Sequence, residues 1–457
     1  MYLLKSHEKQ MTDKPQSLQT QLDAKPLSNL QLRVIALCWL VNILDGFDLL
    51  AISFAAPAIS KSWHLDPQTL GIVFSSGLVG MTIGSLLLGP MADCIGRRRM
   101  IILAVAVLGL STLATASAAS VGPLMLLRLM TGVAIGALLP SLNTLVAEYT
   151  PDRRRNLAIS FMHAGYPVGG IIGGFIASQL ISSAGWQALF IVGGAFTLAL
   201  LPLLFFGLPE SLHYLLQKNH PKTRMMAENI ATSLGIDLVS ARTANTPIAA
   251  ATASTTTTTK RFWDIHRGPW LIPGLALWTC FFLGNLTLYF LLNWTPTVMV
   301  EAGLSSKEAI RAGMVLNLGG IIGLITLGYL SARWSLHRMM SYYFVLGSIF
   351  IMVLGQAPRS IGLLFSLIIL AGCFSLGGLI GLYSLAARLY PTATRATGIG
   401  LAIGAGRFGA ILGPYVGGVL ISLGWPMGSY FTLLALPLIA AAAILWRVKP
   451  PANATIT

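Results

Sequence analysis

Residues 89–99 read Gly89-Pro90-Met91-Ala92-Asp93-Cys94-Ile95-Gly96-Arg97-Arg98-Arg99. This turn packs one acid and three arginines between two long apolar runs, 70–91 and 100–118. Each run is about 20 residues long, which is what a hydrocarbon core about 30 Å thick demands of a helix. The same ruler laid along the chain gives twelve runs: 34–58, 70–91, 100–118, 122–147, 157–182, 186–207, 269–293, 309–330, 340–357, 361–386, 396–421 and 427–447. Charged residues make up 10% of the 457 and hydrophobic residues 55%, whereas soluble domains carry about 25% charged residues. So little polar surface cannot cover a soluble fold, and a soluble enzyme is all but excluded. The sequence predicts an all-α integral membrane protein with twelve transmembrane helices in two six-helix halves.

The charge pattern orients those helices. The net charge is +15, which on a soluble protein suggests nucleic acid. Here cationic loops that hold helices in orientation are the simpler reading, and no nucleic-acid partner is expected. Seventeen Lys and Arg fall in one set of connections and four in the other. By the positive-inside rule the richer side, with both termini, is cytoplasmic. The expected organisation is a tail (1–33), a six-helix bundle (34–207), a cytoplasmic linker (208–268), a second bundle (269–447) and a short tail (448–457). The linker contains the low-complexity stretch 249–259, which cannot pack a core. The first 33 residues are polar and show no cleavable signal, so the first span itself directs insertion. Cys38, Cys94, Cys280 and Cys373 form no CxxC and read as core thiols rather than disulfides or metal ligands. No metal, cofactor or catalytic constellation is expected. The predicted setting is a bacterial inner membrane, with the chain working as a monomer.

The chain also matches itself. A shift of 240 residues places Pro151 on Pro391, Arg155 on Arg395, and Gly169 and Gly173 on Gly409 and Gly413. A shift of 239 places Gly89 on Gly328 and Arg99 on Arg338. Loop prolines and arginines agree along with helix glycines, so a duplicated six-helix unit is favoured over chance. Two parallel halves put a solute site at their interface, near mid-depth.

On these residues the sequence resembles the major facilitator superfamily. The turn Gly89–Arg98 matches its GxxxD(R/K)xGR(R/K) signature, with Cys94 where a cation is usual. Asn42-Ile43-Leu44-Asp45-Gly46-Phe47-Asp48 in the first span resembles the aromatic acid:proton symporter family, as do Arg128, Glu148-Tyr149-Thr150-Pro151-Asp152-Arg153 and the GxGRxGAIxGP stretch around Arg407. Leu208-Pro209-Glu210-Ser211 partly resembles the PES motif of sugar and organic-ion carriers. The resemblance implies a twelve-span carrier that moves an aromatic acid with a proton, and gating roles for Asp93, Arg97 and Arg98 on the cytoplasmic face.

Only two acids fall deep within a span, Asp45 and Asp48. Each is costly in hydrocarbon. At i, i+3 they project from one helix face, and two carboxylates that close in low dielectric do not both ionise easily. The pair can therefore take up a proton on one side and release it on the other, with Gly46 permitting close backbone approach. The alternative is a structural salt bridge with Arg128. Arg128 itself either pairs helices or touches substrate. Glu148, beside Arg153 to Arg155, reads as part of a cytoplasmic charge network that breaks and reforms during transport, with Arg155 and its repeat mate Arg395.

Arg407 falls about eleven residues into its span, near the midplane. It faces either an anionic substrate, whose carboxylate its fork fits bidentately, or one of the two aspartates in the empty carrier. Phe47, Tyr166 and Tyr289 are candidate ring contacts, alongside other span aromatics such as Tyr383 and Phe281. Asn285, aligned with Asp45 in the repeat, is a candidate hydrogen-bond donor or acceptor. Gly404-Ala405-Gly406-Arg407-Phe408-Gly409 satisfies GxGxxG, but it lies inside a membrane span with no preceding strand and is not a nucleotide site. The expectation is a proton-coupled importer of a small organic anion, most simply an aromatic carboxylate. The alternative, a proton-driven exporter of cationic or amphipathic compounds, is opposed by the positive charge of Arg407.

Overall fold

In hydrocarbon a backbone must satisfy its own polar groups, so apolar runs of this length fold as helices. The computed structural model describes residues 18–218, 220–238, 271–331, 333–358, 360–390 and 395–447. They form fifteen helices: α1 (Leu18–Asp23), α2 (Asn29–Trp63), α3 (Pro67–Ile95), α4 (Arg97–Thr115), α5 (Val121–Tyr149), α6 (Asp152–His163), α7 (Gly165–Gly207), α8 (Leu212–Gln217), α9 (Pro221–Leu234), α10 (Leu271–Glu301), α11 (Ser306–Leu330), α12 (Leu336–Gln356), α13 (Ile361–Leu389), α14 (Arg395–Ser422) and α15 (Met427–Arg447). Local signals set several boundaries. Ser28 and Gln31 close a capping box on α2, and Ser305 with Glu308 does the same on α11. Asp66 caps α3, with Pro67 at its first position.

Eleven stretches of the described residues are long and apolar enough to cross a membrane. One of them, Asp152–Gly207, has 56 residues, about 84 Å of helix at 1.5 Å per residue. It turns at Gly185, where φ is 79° and ψ 168°, a conformation open essentially to glycine alone. The first leg packs along α2 and the second along α4. These are the fifth and sixth spans, so the twelve expected crossings and the all-α membrane fold are present.

The duplication is visible as repeated packing. Gly80 rests on the Leu129 backbone and Gly319 on that of Ile369. Gly84 meets Val133 as Gly323 meets Cys373, and Gly169 meets Ile43 as Gly409 meets Phe282. Every residue in these contacts has its mate 239 or 240 positions on. A side-chain carbon at any of these glycines would run into a backbone carbonyl, so the missing side chain lets two helices touch.

Residues 208–238, expected to be linker, form α8 and α9. Leu212, Tyr214, Leu215 and Ala227 are buried together there, because the stretch carries enough apolar side chains to pack locally. The 249–259 stretch, residues 1–17 and residues 448–457 lie outside the described residues.

The two halves meet mainly toward the face opposite the Asp93–Arg99 turn, here called the far face. Ser53 Oγ donates to the Leu292 and Asn293 carbonyls at 2.8 and 2.9 Å, and Ser75 Oγ to the Ile411 carbonyl at 2.8 Å. Phe74 stands edge-on to Trp294 at 5.4 Å. Gly71 of α3 and Gly418 of α14 close against Pro414 and Pro67 respectively.

These contacts predict that Gly169→Val or Gly409→Val destabilises the protein by about 1–3 kcal/mol or more through overpacking. Gly404→Ala, with nothing within 4 Å of the added carbon, should be neutral. Thermal unfolding in detergent checks this, and equal transition temperatures for all three variants would contradict it.

Candidate functional site

The two aspartates of α2 are both fully buried, but they face different neighbours. Three residues apart, they point about 60° from one another around the helix. Asp48 turns toward α4 and α5. Its Oδ2 lies 3.5 Å from Arg128 Nη1, and Thr112 Oγ1 donates to its Oδ1. Arg128 Nη2 donates to Thr115 Oγ1 at 2.8 Å, and the guanidinium lies 5.1 Å from the centre of the Phe190 ring. The pairing foreseen as the alternative to a free aspartate therefore exists, and it involves Asp48. Thr112 and Thr115 were not anticipated; the signal was a polar face, Ser111-Thr112-Thr115, in an otherwise apolar helix.

Asp45 is different. Both of its carboxylate oxygens are buried, and among the described residues neither has a hydrogen-bond partner. Its surroundings come from close glycine contacts. Gly46 lies against the Tyr166 carbonyl, so α2 and the first leg of α7 touch beside Asp45. Across the interface Gly406 lies against the Asn285 amide and Gly409 against the Phe282 carbonyl. These contacts hold α14 against α10 and bring Arg407 to the same level. Asp45 lies within reach of the Arg407 charge, as do the phenols of Tyr166, Tyr289 and Tyr383.

Arg407 is half-buried, and Nη1 rests on the Met81 sulfur of α3. Its Nε is buried without a partner, and it forms no ion pair with a carboxylate among the described residues. The Tyr166 hydroxyl is likewise buried and unpartnered. Asn285 donates to the Phe281 carbonyl of its own helix at 2.7 Å. Asp45, Tyr166, Asn285, Tyr289 and Arg407 thus come together where the halves meet. Chemically this is an uncompensated carboxylate opposite an uncompensated guanidinium, ringed by phenols.

Phe47 does not join them. Two residues beyond Asp45, it points about 200° away around α2. Its ring packs on Gly173 and Gly193, and it lines an apolar crevice with Ile172, Phe196 and Leu200. That crevice lies between α2 and the two legs of α7, away from the charged cluster.

A second polar cluster sits at the Asp93–Arg99 turn. Arg97 pairs with Asp93 and Glu148, each at 3.0 Å, and donates to Ser211 Oγ at 2.9 Å. Ser211 Oγ in turn donates to Glu148. Glu210 Oε1 accepts from the Arg98 and Ser211 backbone N–H groups at 3.0 and 2.9 Å. The Arg98 guanidinium donates to the Phe205 carbonyl and covers its ring. Glu148 is therefore partnered by Arg97 rather than by its sequence neighbours. Arg155 instead pairs with Asp152 one turn back and donates to the Ala147 carbonyl at 3.2 Å. In the sequence Glu210 and Ser211 stand out only through a partial motif match. The side chain of Arg395 lies outside the described residues. Among the described residues no three His, Cys, Asp or Glu converge as metal ligands.

Comparison with known proteins places this geometry in a class. The Major Facilitator Superfamily profile matches residues 38–357 and 318–456, and the chain belongs to that superfamily of integral, multi-pass membrane transporters. Within it the chain is closely related to the aromatic acid:proton symporters. A 4-hydroxybenzoate transporter of Pseudomonas aeruginosa is 37% identical over 94% of this chain and 95% of its own length. A gallate transporter of Pseudomonas putida is 36% identical over 94% of both chains. The inward-open xylose transporter XylE of E. coli shares the fold, with a TM-score of 0.71 and 17% identity over 92% of this chain and 96% of that one. Membership of a transport family also means that the chain is not an enzyme.

Arg128→Leu leaves Asp48 buried without its cation, and breaking such a pair costs about 3–5 kcal/mol. Removing both charges, as Asp48→Leu with Arg128→Leu, should restore most of that stability. Denaturation of the purified variants measures the difference; a single variant as stable as the wild type would refute the pairing.

Proposed function

We propose that this protein imports small aromatic carboxylates together with protons by alternating access between its two six-helix units, 34–207 and 269–447. The observation that carries the reading is Asp45 and Arg407: opposite charges on opposite halves, close enough to interact, each with polar atoms that no protein group satisfies. A buried carboxylate without hydrogen bonds is costly when ionised, so a proton on Asp45 relieves it. An aromatic acid relieves Arg407, whose planar fork takes a carboxylate bidentately. The rings of Tyr289 and Tyr383 offer faces and edges to an aromatic body, and Asn285 offers a hydrogen bond. Relatives named for 4-hydroxybenzoate and gallate support the substrate class.

Asp48 and Arg128 enter the cycle as a buried pair that protonation releases. The Asp93–Arg97–Glu148 network, with Arg98, Arg155 and Arg395, acts as the gate on the cationic face. That face is cytoplasmic in this reading, with both termini on it, and the chain works as a monomer in a bacterial inner membrane. Contacts between the halves gather toward the far face, so the conformation is closed to the outside. One proton entering with one monoanion moves no net charge, and the pH gradient alone then drives uptake. A carrier of cationic cargo is a poor fit to a half-buried guanidinium.

The test is uptake of labelled benzoates by proteoliposomes under an imposed pH gradient. Uptake should rise as the outside is acidified, and Asp45→Asn should abolish accumulation. Arg407→Ala should weaken equilibrium binding by about 2 kcal/mol or more, roughly thirty-fold. Uptake that follows membrane potential instead of the pH gradient, or unimpaired binding by Arg407→Ala, would overturn the scheme.

A further inference from the structure

Two buried acceptors near this site have no assigned use, the side-chain oxygens of Asn42 and Asn317, and of the two Asn317 lies where the halves meet. Asn317 on α11 is 1% exposed, and among the described residues its side-chain oxygen has no hydrogen-bond partner. Its amide nitrogen donates to the Gly313 carbonyl of the same helix at 3.0 Å. That bond fixes which way the amide faces, because a carbonyl oxygen cannot donate to another carbonyl. The nitrogen is held on its own helix and the oxygen is the free end. Asn285 and Asn293 make the same bond to their own helix, but neither leaves a buried, unpartnered oxygen.

The position is defined by glycine contacts. Gly170, on the first leg of α7, touches Leu50 of α2 and the Asn317 side chain, so Asn317 sits where both halves meet. Gly170 lies four residues beyond Tyr166, about 6 Å along the helix. Tyr166 marks the level of Asp45 and Arg407. One turn further, Gly174 packs on Met314 and Phe54, and Gly313 packs on Phe54. Asn317 thus holds a free acceptor between the charged level and this apolar layer. A para-substituted benzoate is about one helical turn long from its carboxylate to its ring substituent. An acceptor buried without a donor is costly, and such a site suits a ligand that brings the donor with it.

We propose that Asn317 is a specificity-determining residue: its side-chain oxygen accepts a hydrogen bond from a ring hydroxyl at the end of the aromatic acid opposite the carboxylate. This rests on the aromatic-acid reading above. An acceptor built for a hydroxyl discriminates strongly against analogues that lack one, because it is then left unpaired. The Leu50 and Gly170 contacts around Asn317 offer no substitute donor.

The experiment is competition against labelled 4-hydroxybenzoate uptake by a para-substituted series in wild-type proteoliposomes. The series has two donors (hydroxyl and amino) and two non-donors (fluoro and methyl), with unsubstituted benzoate as reference. Donors should compete at about tenfold lower concentration than non-donors. In Asn317→Leu that advantage should shrink to about twofold or less, while benzoate itself keeps its inhibition constant within about threefold. Equal competition by the fluoro and hydroxyl compounds in the wild type overturns the proposal, as does a donor advantage that survives in Asn317→Leu. If Asn317→Leu fails to reach the membrane, Asn317→Ala carries the same comparison. Uptake of aromatic acids without donor preference sinks only this inference, whereas absence of any aromatic-acid uptake sinks the transport reading with it.

Discussion

The structure turns on a carboxylate and a guanidinium that the protein itself does not satisfy. Asp45 has both oxygens buried and unpartnered, and Arg407 leans on a thioether with its Nε unpaired. In a low-dielectric core such groups persist only where something else completes them. In the proposed cycle a proton completes the first and a carboxylate the second. The nearby Asp48 shows what a satisfied charge looks like in the same helix, with Arg128, Thr112 and Phe190 gathered around that pair. Two aspartates three residues apart thus differ in their partners: Asp48 is paired within the protein and Asp45 is not.

The rest of the fold serves that contrast by close helix packing. Gly46 seats Tyr166 beside Asp45, and Gly406 and Gly409 seat α14 against α10 so that Arg407 reaches the same level. Because one set of glycine contacts recurs in each half, the two units can hold complementary charges on equivalent frames. The joint toward the far face includes the Ser53 and Ser75 hydrogen bonds and the Phe74–Trp294 contact, so it mixes polar and apolar contacts. Such a joint can open and reform without unpacking either unit. The Arg97–Glu148–Ser211 network lies wholly within the first half and its continuation. In the proposed cycle it is the first half's part of the gate at the cationic face.

Much of this was legible in the sequence. The twelve crossings follow from length and hydropathy alone, and the 240-residue repeat already matches Gly169 with Gly409. Asp45, Tyr166, Tyr289, Asn285 and Arg407 stand out because polar or phenolic groups are rare in such runs. What sequence spacing does not carry is the identity of the neighbour. The i, i+3 separation places Asp45 and Asp48 on one face, but only the packing of α4 and α5 shows that Arg128 takes Asp48. Phe47 counts among the span aromatics that could line the site, but its helical angle turns it to the opposite side. Glu148 was matched to nearby arginines, yet the chain folds the Asp93–Arg99 turn onto it. Asn317 is one amide in an apolar helix, and nothing in its sequence context separates a free oxygen from a bonded one.

The most direct test of the central claim is proton uptake on binding. Purified carrier in weakly buffered detergent solution is mixed with an aromatic acid while a pH indicator records the change. The protein should take up protons as the acid binds, Arg407→Ala should show the signal only at roughly thirty-fold higher acid concentration or above, and Asp45→Asn should bind with the signal much reduced. Binding by the wild type with no proton uptake, or an undiminished signal in Asp45→Asn, would contradict it.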